Sequence, residues 1–103
     1  MEFRLSRFAD RDLLAILKHT KKVWGSEQGF TYLRLLGLAR DKMVAKPFLP
    51  GSKPRLDLAA GCRSFRSGKH VYFYRLRGET VEIARILHEF MDFERHTAES
   101  HFP

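Results

Sequence analysis

The chain has 103 residues, of which 44% are hydrophobic and 30% are charged, and its formal net charge is +7. These values predict one folded domain with a single modest core, and they exclude an intrinsically disordered chain. No apolar run reaches the roughly 20 residues that a membrane-spanning helix needs. The first ten residues lack the apolar centre of a signal peptide, so a cytoplasmic location is expected.

The positive charge is concentrated in one part of the sequence. Residues 40–77 contain ten Lys or Arg residues and two acidic residues, whereas the rest of the chain contains nine bases and ten acids. A basic field of this kind favours an acidic protein or a nucleic acid as partner. Solubility alone remains the alternative explanation.

Sequence motifs of the common enzyme classes are absent. The chain has no P-loop, no glycine-rich dinucleotide loop, no nucleophile elbow and no HExxH motif. Cys62 is the only cysteine, which excludes an internal disulfide and a cysteine-based metal site. The five histidines lack the spacing of metal ligands, except for His96 and His101, which lie five residues apart in the tail and are interpreted as an incidental pair. We therefore expect neither a cofactor nor a bound metal.

The first half of the chain predicts a strand followed by two helices. Residues 2–5 alternate in polarity, as a strand does. Ser6 is the predicted N-cap of a helix that extends to about residue 24, because apolar residues recur at helical spacing over this range. Gly25 ends this helix, and the second helix runs to about residue 46, where Pro47 stops it. So short a connection makes the two helices antiparallel.

The second helix is apolar around more than half of its circumference. Either both of its sides are buried, or part of its surface is free to bind a partner. We favour the free surface, because a chain of this length has little with which to cover two faces.

The second half of the chain predicts an irregular connector and an antiparallel meander. Residues 48–60 contain two prolines and a glycine that oppose regular structure. Runs rich in Val, Ile, Phe and Tyr follow, separated by turns at Ser67-Gly68 and Arg77-Gly78. The three strands are predicted at residues 62–66, 70–77 and 80–87.

After the last strand the sequence turns polar and acidic, which makes residues 89–103 a C-terminal tail. Residues 89–97 are expected to form one or two helical turns, and the last few residues are expected to be frayed. The predicted fold is therefore α+β and a single domain, with elements in the order β-α-α-β-β-β.

Alternation along the strands assigns their side chains to two faces. In the middle strand, one face carries Tyr72, Tyr74 and Leu76, and the other carries Val71, Phe73 and Arg75. In the last strand, the residues predicted to share a face are Val81, Ile83, Arg85 and Leu87. Because both faces of the middle strand are apolar, one should pack on the helices and the other under the tail or a partner.

Arginines stand among these apolar positions, at Arg63, Arg66, Arg75, Arg77 and Arg85. In a half-dry setting, a guanidinium binds a carboxylate or phosphate more strongly than it does at the open surface. A structural ion pair is the alternative for each of them, for example between Arg85 and Glu82, Glu89 or Asp92.

One catalytic hypothesis is compatible with the sequence. A metal-independent ribonuclease needs only a few bases and cations around a phosphate. The candidates for this chemistry are Arg63, Arg85 and His88, provided that the fold brings them together. An ordinary histidine at a strand end remains the alternative for His88.

Several motifs together resemble the ParE toxins of the RelE/ParE superfamily, the toxin halves of type II toxin–antitoxin modules. The most specific motif is the stretch 61–92, and the helical half adds weaker matches. The matching residues are Leu5-Ser6, Ala9-Asp10, Asp12-Leu13, Trp24-Gly25, Tyr32-Leu33, Pro47, Gly61-Cys62-Arg63-Ser64-Phe65, His70 to Arg75, Val81 to His88 and Met91-Asp92.

This resemblance implies a helix hairpin packed against a small, mainly antiparallel twisted sheet. It also implies a toxin that inhibits DNA gyrase by binding, without catalysing a reaction, and stabilises the cleaved complex of gyrase with DNA. An acidic antitoxin of ParD type would neutralise it in a hetero-oligomer by lying in a groove made by the helices and the sheet. The residues expected to contact target or antitoxin are Tyr32, Leu36, Met43, Arg63, Arg66, Arg75 and Arg85.

Two other functions remain open at this point. The RelE branch of the superfamily cleaves mRNA on the ribosome with a cluster of bases and, commonly, a tyrosine near the C-terminus. The present chain has no tyrosine after Tyr74, which disfavours this activity. A non-toxic basic module that binds nucleic acid or acts as an adaptor fits the charge, but no recognition-helix pattern supports it.

Overall fold

A computed structural model describes residues 1–103 and confirms the predicted order of the main elements. The long elements are β1 (Glu2–Leu5), α1 (Arg7–Trp24), α2 (Ser26–Ala45), β3 (Arg63–Ser67), β4 (His70–Arg77) and β5 (Thr80–His88). Three short elements accompany them: β2 (Lys53–Pro54), α3 (Phe93–His96) and a 3₁₀ turn at Glu99–His101. Neither long helix is apolar enough to cross a membrane.

The five strands form one sheet in the order β1-β5-β4-β3-β2. β1 pairs with β5 in parallel, with Phe3 opposite Val81, and all other neighbours are antiparallel. The two helices connect β1 to the rest of the sheet and cover one of its faces. The fold is therefore the predicted helix hairpin on a mainly antiparallel sheet.

The ends of α1 are set by local chemistry, as the sequence predicts. The Ser6 hydroxyl accepts a hydrogen bond from the backbone N–H of Ala9 at 3.0 Å and donates one to the carbonyl of Ala84 at 2.6 Å. At the other end, Gly25 has a φ of 91° and ends the helix. The same serine thus both starts the helix and ties it to β5.

The main core lies between the helices and the sheet. Leu36, Ala39 and Met43 from α2 pack there against Tyr72 and Tyr74 of β4. The tyrosine hydroxyls donate to backbone carbonyls, Tyr72 to Leu36 at 2.7 Å and Tyr74 to Pro47 at 2.6 Å. One side of α2 is therefore held against the sheet by both apolar packing and hydrogen bonds.

A second core lies on the opposite face of the sheet, under the C-terminal segment. Phe73, Ala84 and Leu87 form it, and Phe93 and Phe102 from the C-terminal segment cover it. Phe102 is 9% exposed and Thr97 is 2% exposed. The expectation of frayed final residues is wrong, because these side chains close the second apolar face of β4.

A β-bulge in β5 corrects the predicted assignment of faces. Tyr74 lies opposite Ile83 and Phe73 lies opposite Arg85, so Ala84 is an extra residue without a partner on β4. The extra residue reverses the alternation after Ile83. Arg85 and Leu87 therefore do not share a face with Val81 and Ile83, as simple alternation predicted, but point to the second core.

Candidate binding surface

Arg75 is held inside the fold by two carboxylates. Its Nε donates to Glu82 at 3.0 Å and its Nη1 donates to Glu99 at 2.5 Å, while the guanidinium lies 4.2 Å from the centre of the Phe102 ring. Burial works against the charged form, but the hydrogen bonds to both carboxylates outweigh burial and raise the pKa of Arg75. The structure thus gives this arginine intramolecular partners.

Arg85 joins α1, β5 and the C-terminal segment. Its Nε and Nη2 donate to the two carboxylate oxygens of Asp12, each at 2.8 Å, and its Nη1 donates to the carbonyl of His96 at 2.9 Å. Asp12 also accepts the backbone N–H of Ile86 at 3.0 Å. None of the partners considered from the sequence is correct, because Arg85 pairs with Asp12 of α1.

The two arginines of β3 differ in their partners. Arg66 is exposed and pairs with Glu89 at 2.6 Å. Arg63 donates from Nη2 to the Ser52 hydroxyl at 2.7 Å and lies 4.7 Å from the centre of the exposed Phe48 ring. Its buried Nε has no hydrogen-bond partner, and no carboxylate lies within salt-bridge distance. Among the four arginines of the predicted binding set, Arg63 alone lacks an acidic partner.

The three candidate nuclease residues do not converge. Arg63 lies opposite Tyr74, on the face of the main core, whereas Arg85 lies opposite Phe73, on the other face. His88 lies opposite His70, and the two rings are 5.4 Å apart between centroids. No phosphate could therefore be held between both arginines and this histidine.

The structure also locates the apolar residues of the predicted binding set. Leu36 is 1% exposed and Met43 is 0% exposed, so both belong to the core of this chain. Tyr32 is half-buried, and its hydroxyl contacts His70. The exposed side of α2 carries other large apolar residues: Phe30, Leu35 and Leu38. Because α2 is apolar on both sides, its sequence did not show which side faces the sheet.

An apolar groove separates α1 from α2 above Tyr72. This interhelical groove has a volume of about 370 Å³ and is lined mainly by leucines. Leu14 is 52% exposed at its rim, and a methyl group added at Gly37 would meet only the end of the Arg40 side chain, at 3.8 Å. The groove is thus open and apolar, as a binding site for an amphipathic helix must be. Its lining residues are Leu5, Leu13, Leu14, Leu17, Leu33, Leu36, Gly37, Arg40, Tyr72 and Ile86.

Free cations border this groove on the α1 side. Arg7, Arg11, Lys18 and Lys21 recur at the three- and four-residue spacing that places them along the same side of α1 as Leu14. None of the four has a carboxylate within salt-bridge distance, whereas five of the ten bases in residues 40–77 do. The positive surface therefore extends to α1, which the charge count along the sequence did not indicate.

The fold is thus a small α+β domain, with a two-helix layer on a mainly antiparallel sheet and an open apolar groove bordered by cations. Among solved structures, the fold is similar to a chain of the chromosomal ParDE TA system from P. aeruginosa, with a TM-score of 0.74 and 20% identity over 85% of this chain and 95% of that chain. The family model for the ParE toxin of type II toxin-antitoxin system, parDE, matches residues 3–93. The protein therefore belongs to the ParE toxin family.

Individual relatives agree with this assignment. The chain is 39% identical over 94 residues to Toxin ParE1 of Caulobacter vibrioides, which covers 91% of this chain and 95% of the relative. It is 35% identical over 94 residues to Toxin ParE1 of Mycobacterium tuberculosis, which covers 90% of this chain and 94% of that relative. Both alignments include the helices and the sheet, so the relationship concerns the whole domain.

Proposed function

We propose that the protein is a toxin that inhibits DNA gyrase and is neutralised by an acidic antitoxin of ParD type. The observation that carries the proposal is the interhelical groove with its border of free cations, in a chain of the ParE family. Gyrase acts in the cytoplasm, which would also be the location of the toxin and of its hetero-oligomer with the antitoxin.

The groove fits an amphipathic segment of the antitoxin. Apolar side chains one helical turn apart on that segment would enter between Leu14 and Gly37, and its acidic residues would meet Arg11 and Lys18. Leu36 would form part of the floor of the groove, whereas Met43 is a core residue that does not line it. Tyr32 lies outside the groove, beside the β3–β4 turn, and would be a peripheral contact.

Inhibition of gyrase would proceed by binding, without hydrolysis by the toxin. The separation of Arg63, Arg85 and His88 in the fold supports this view over the ribonuclease alternative. Arg63 of β3 and Phe48, which lies beside it in the turn after α2, are the best-placed target contacts, because Arg63 has no carboxylate partner and Phe48 is 66% exposed. Arginine is enriched among the residues that contribute most to the binding energy of protein interfaces.

Growth is the first test of the proposal. Expression of the chain alone should arrest growth, and co-expression of the acidic antitoxin should restore it. The variant Leu14→Asp should remain toxic but escape neutralisation, because it places a charge at the rim of the groove. The matched control Phe90→Asp, at a residue that is 86% exposed outside the groove, should remain both toxic and neutralised. Unimpaired growth with the unmodified chain would contradict the toxin assignment.

Purified gyrase tests the target. Added protein should reduce supercoiling and increase the amount of cleaved DNA, and Arg63→Ala should weaken both effects at least fivefold while antitoxin binding is kept. Arg77→Ala, an exposed arginine at the β4–β5 turn, is the matched control. Failure to inhibit gyrase, together with ribosome-dependent mRNA cleavage that His88→Ala abolishes, would favour the ribonuclease instead.

A further inference from the structure

A second cavity lies at the other end of the helix hairpin, where α1 and α2 meet the β3–β4 turn. It has a volume of about 500 Å³, within the range of small-molecule sites. We call it the histidine cleft, because three imidazoles from α1, β4 and β5 line it. Its chemically active residues are His19, Trp24, Tyr32, Lys69, His70 and His88. The proposed contacts with antitoxin and gyrase use neither its histidines nor Lys69.

Hydrogen bonds fix the Tyr32–His70 pair. The backbone N–H of Lys69 donates to the Tyr32 oxygen at 3.1 Å, and this oxygen lies 2.5 Å from Nδ1 of His70. We assign the phenolic proton to this contact, because a phenol is the better donor and an imidazole nitrogen the better acceptor. The remaining ring proton of His70 is then on Nε2. The pKa of His70 is lowered to about 4, mainly by burial and to a smaller extent by the neighbouring His88, so the ring is neutral.

The orientation of His88 follows from its backbone neighbour. Its Nδ1 accepts the backbone N–H of Phe90 at 3.2 Å, which requires a lone pair on Nδ1 and leaves the proton on Nε2. Neither Nε2 has an acceptor within the protein. The cleft therefore presents two imidazole donors that the fold itself does not use.

The carboxylates nearest to these donors are already engaged by arginines. Asp12, which lines the adjoining cavity together with His70 and His88, accepts two hydrogen bonds from Arg85, each at 2.8 Å. None of the ten residues that line the cleft is acidic. Lys69 is exposed, with no carboxylate in salt-bridge distance, and the nearby Glu89 is already paired with Arg66 at 2.6 Å. A lining that offers donors and a cation but no carboxylate suits an oxyanion with several oxygens, of which phosphate is the commonest biological example.

An exposed aromatic surface stands at the rim of the same cleft. Trp24, the last residue of α1, is 65% exposed, and the neighbouring Val23 is 54% exposed. An exposed indole face beside these donors is suited to bind a nucleobase by stacking. A carboxylate alone would fill only a small part of the volume.

We propose that the histidine cleft binds a nucleotide, with its 5′-phosphate on Lys69, His70 and His88 and its base against Trp24. A free mononucleotide and the phosphorylated 5′ end of a nucleic-acid strand both offer this combination of a 5′-phosphate and a base. Binding is the whole of the proposal, and no bond of the nucleotide is made or broken.

The test uses the intrinsic fluorescence of Trp24, the only tryptophan of the chain. The purified protein is titrated with AMP and with adenosine, with excitation at a wavelength that adenine does not absorb. AMP should quench the emission and bind at least tenfold more tightly than adenosine. Absence of any response to AMP, or equal affinity for adenosine, would overturn the proposal.

Two variants and two oligonucleotides complete the experiment. Lys69→Met and His88→Asn should each weaken AMP binding at least fivefold, whereas the control Lys53→Met, an exposed lysine on β2, should leave it unchanged. Unchanged affinity in both cleft variants would also overturn the proposal. A tetradeoxyadenylate with a 5′-phosphate that binds at least as tightly as AMP identifies a strand end as the ligand, and weaker binding than AMP identifies the free nucleotide.

Discussion

At the scale of single residues, the pair of Asp12 and Arg85 joins two parts of the chain that are 73 residues apart. The side chains are 13% and 14% exposed, so their charges are largely removed from water and depend on each other. Asp12 also satisfies the backbone N–H of Ile86 next to the bulge. The Asp12 carboxylate therefore stabilises the bulged part of β5 and also joins β5 to α1.

Removal of this carboxylate should be costly. We expect Asp12→Ala to reduce the free energy of unfolding by about 3 kcal/mol, because it leaves the largely buried guanidinium of Arg85 without its carboxylate partner. The control Asp41→Ala removes an exposed ion pair with Arg40 and should cost no more than about 0.5 kcal/mol. Urea denaturation of both variants measures the difference, and equal costs would contradict the structural role of Asp12.

His70 should make the stability of the fold depend on pH. Because burial lowers its pKa from 6.5 to about 4, the folded protein binds this proton less readily than the unfolded chain does. The stabilisation by the neutral ring is complete above pH 6.5 and is lost as the pH falls towards 4. His70→Asn keeps an acceptor for Tyr32 but cannot be protonated, so the decrease in melting temperature over this interval should be smaller than in the unmodified chain. The control His96→Asn should follow the unmodified chain.

At the scale of elements, the C-terminal segment acts as the cover of the second core. Phe102→Ala should therefore reduce the free energy of unfolding by about 2 kcal/mol, the value of one buried aromatic side chain. Phe90→Ala removes a ring that is 86% exposed and should be nearly neutral. Thermal denaturation distinguishes the two variants. If Phe102→Ala leaves the stability unchanged, the C-terminal segment does not stabilise the second face of the sheet.

The sequence predicts those elements whose ends are determined by near neighbours. Ser6 caps α1 through Ala9, and Gly68 and Gly78 turn the meander with positive φ values of 58° and 61°. The bulge at Ala84 has no such local signal, since it arises from the pairing of two strands. The packing of Phe102 is likewise a contact between distant parts of the chain.

The candidate sites were less predictable for the same reason. The sequence indicates that arginines lie among apolar residues, but their partners are set by the fold: Arg85 pairs with a residue 73 positions away. The histidine cleft joins α1, β4 and β5 and has no motif in the sequence. The wide apolar surface of α2 predicted that part of this helix is free to bind a partner. The sequence did not predict which residues of α1 line the interhelical groove, because these depend on how the two helices pack.

At the scale of the whole molecule, the location of charge should matter more than its amount. The interhelical groove lies above β1, β5 and β4, and β2 is at the opposite edge of the sheet. Cations along α1 should therefore steer an acidic antitoxin towards the groove, while cations near β2 and the β4–β5 turn should not. Steering changes the rate of association and is weakened by salt.

Two double variants with the same change in net charge separate these effects. Arg11→Glu with Lys18→Glu reverses the charge beside the groove and should slow association with the antitoxin at least tenfold at low salt. Its dissociation rate should change much less, since rim charges act mainly on encounter. Lys53→Glu with Arg77→Glu alters the distant edge and should slow association by less than threefold. Surface-immobilised antitoxin at several salt concentrations gives both rates. If the two double variants slow association equally, net charge and not the cation border of the groove controls the encounter.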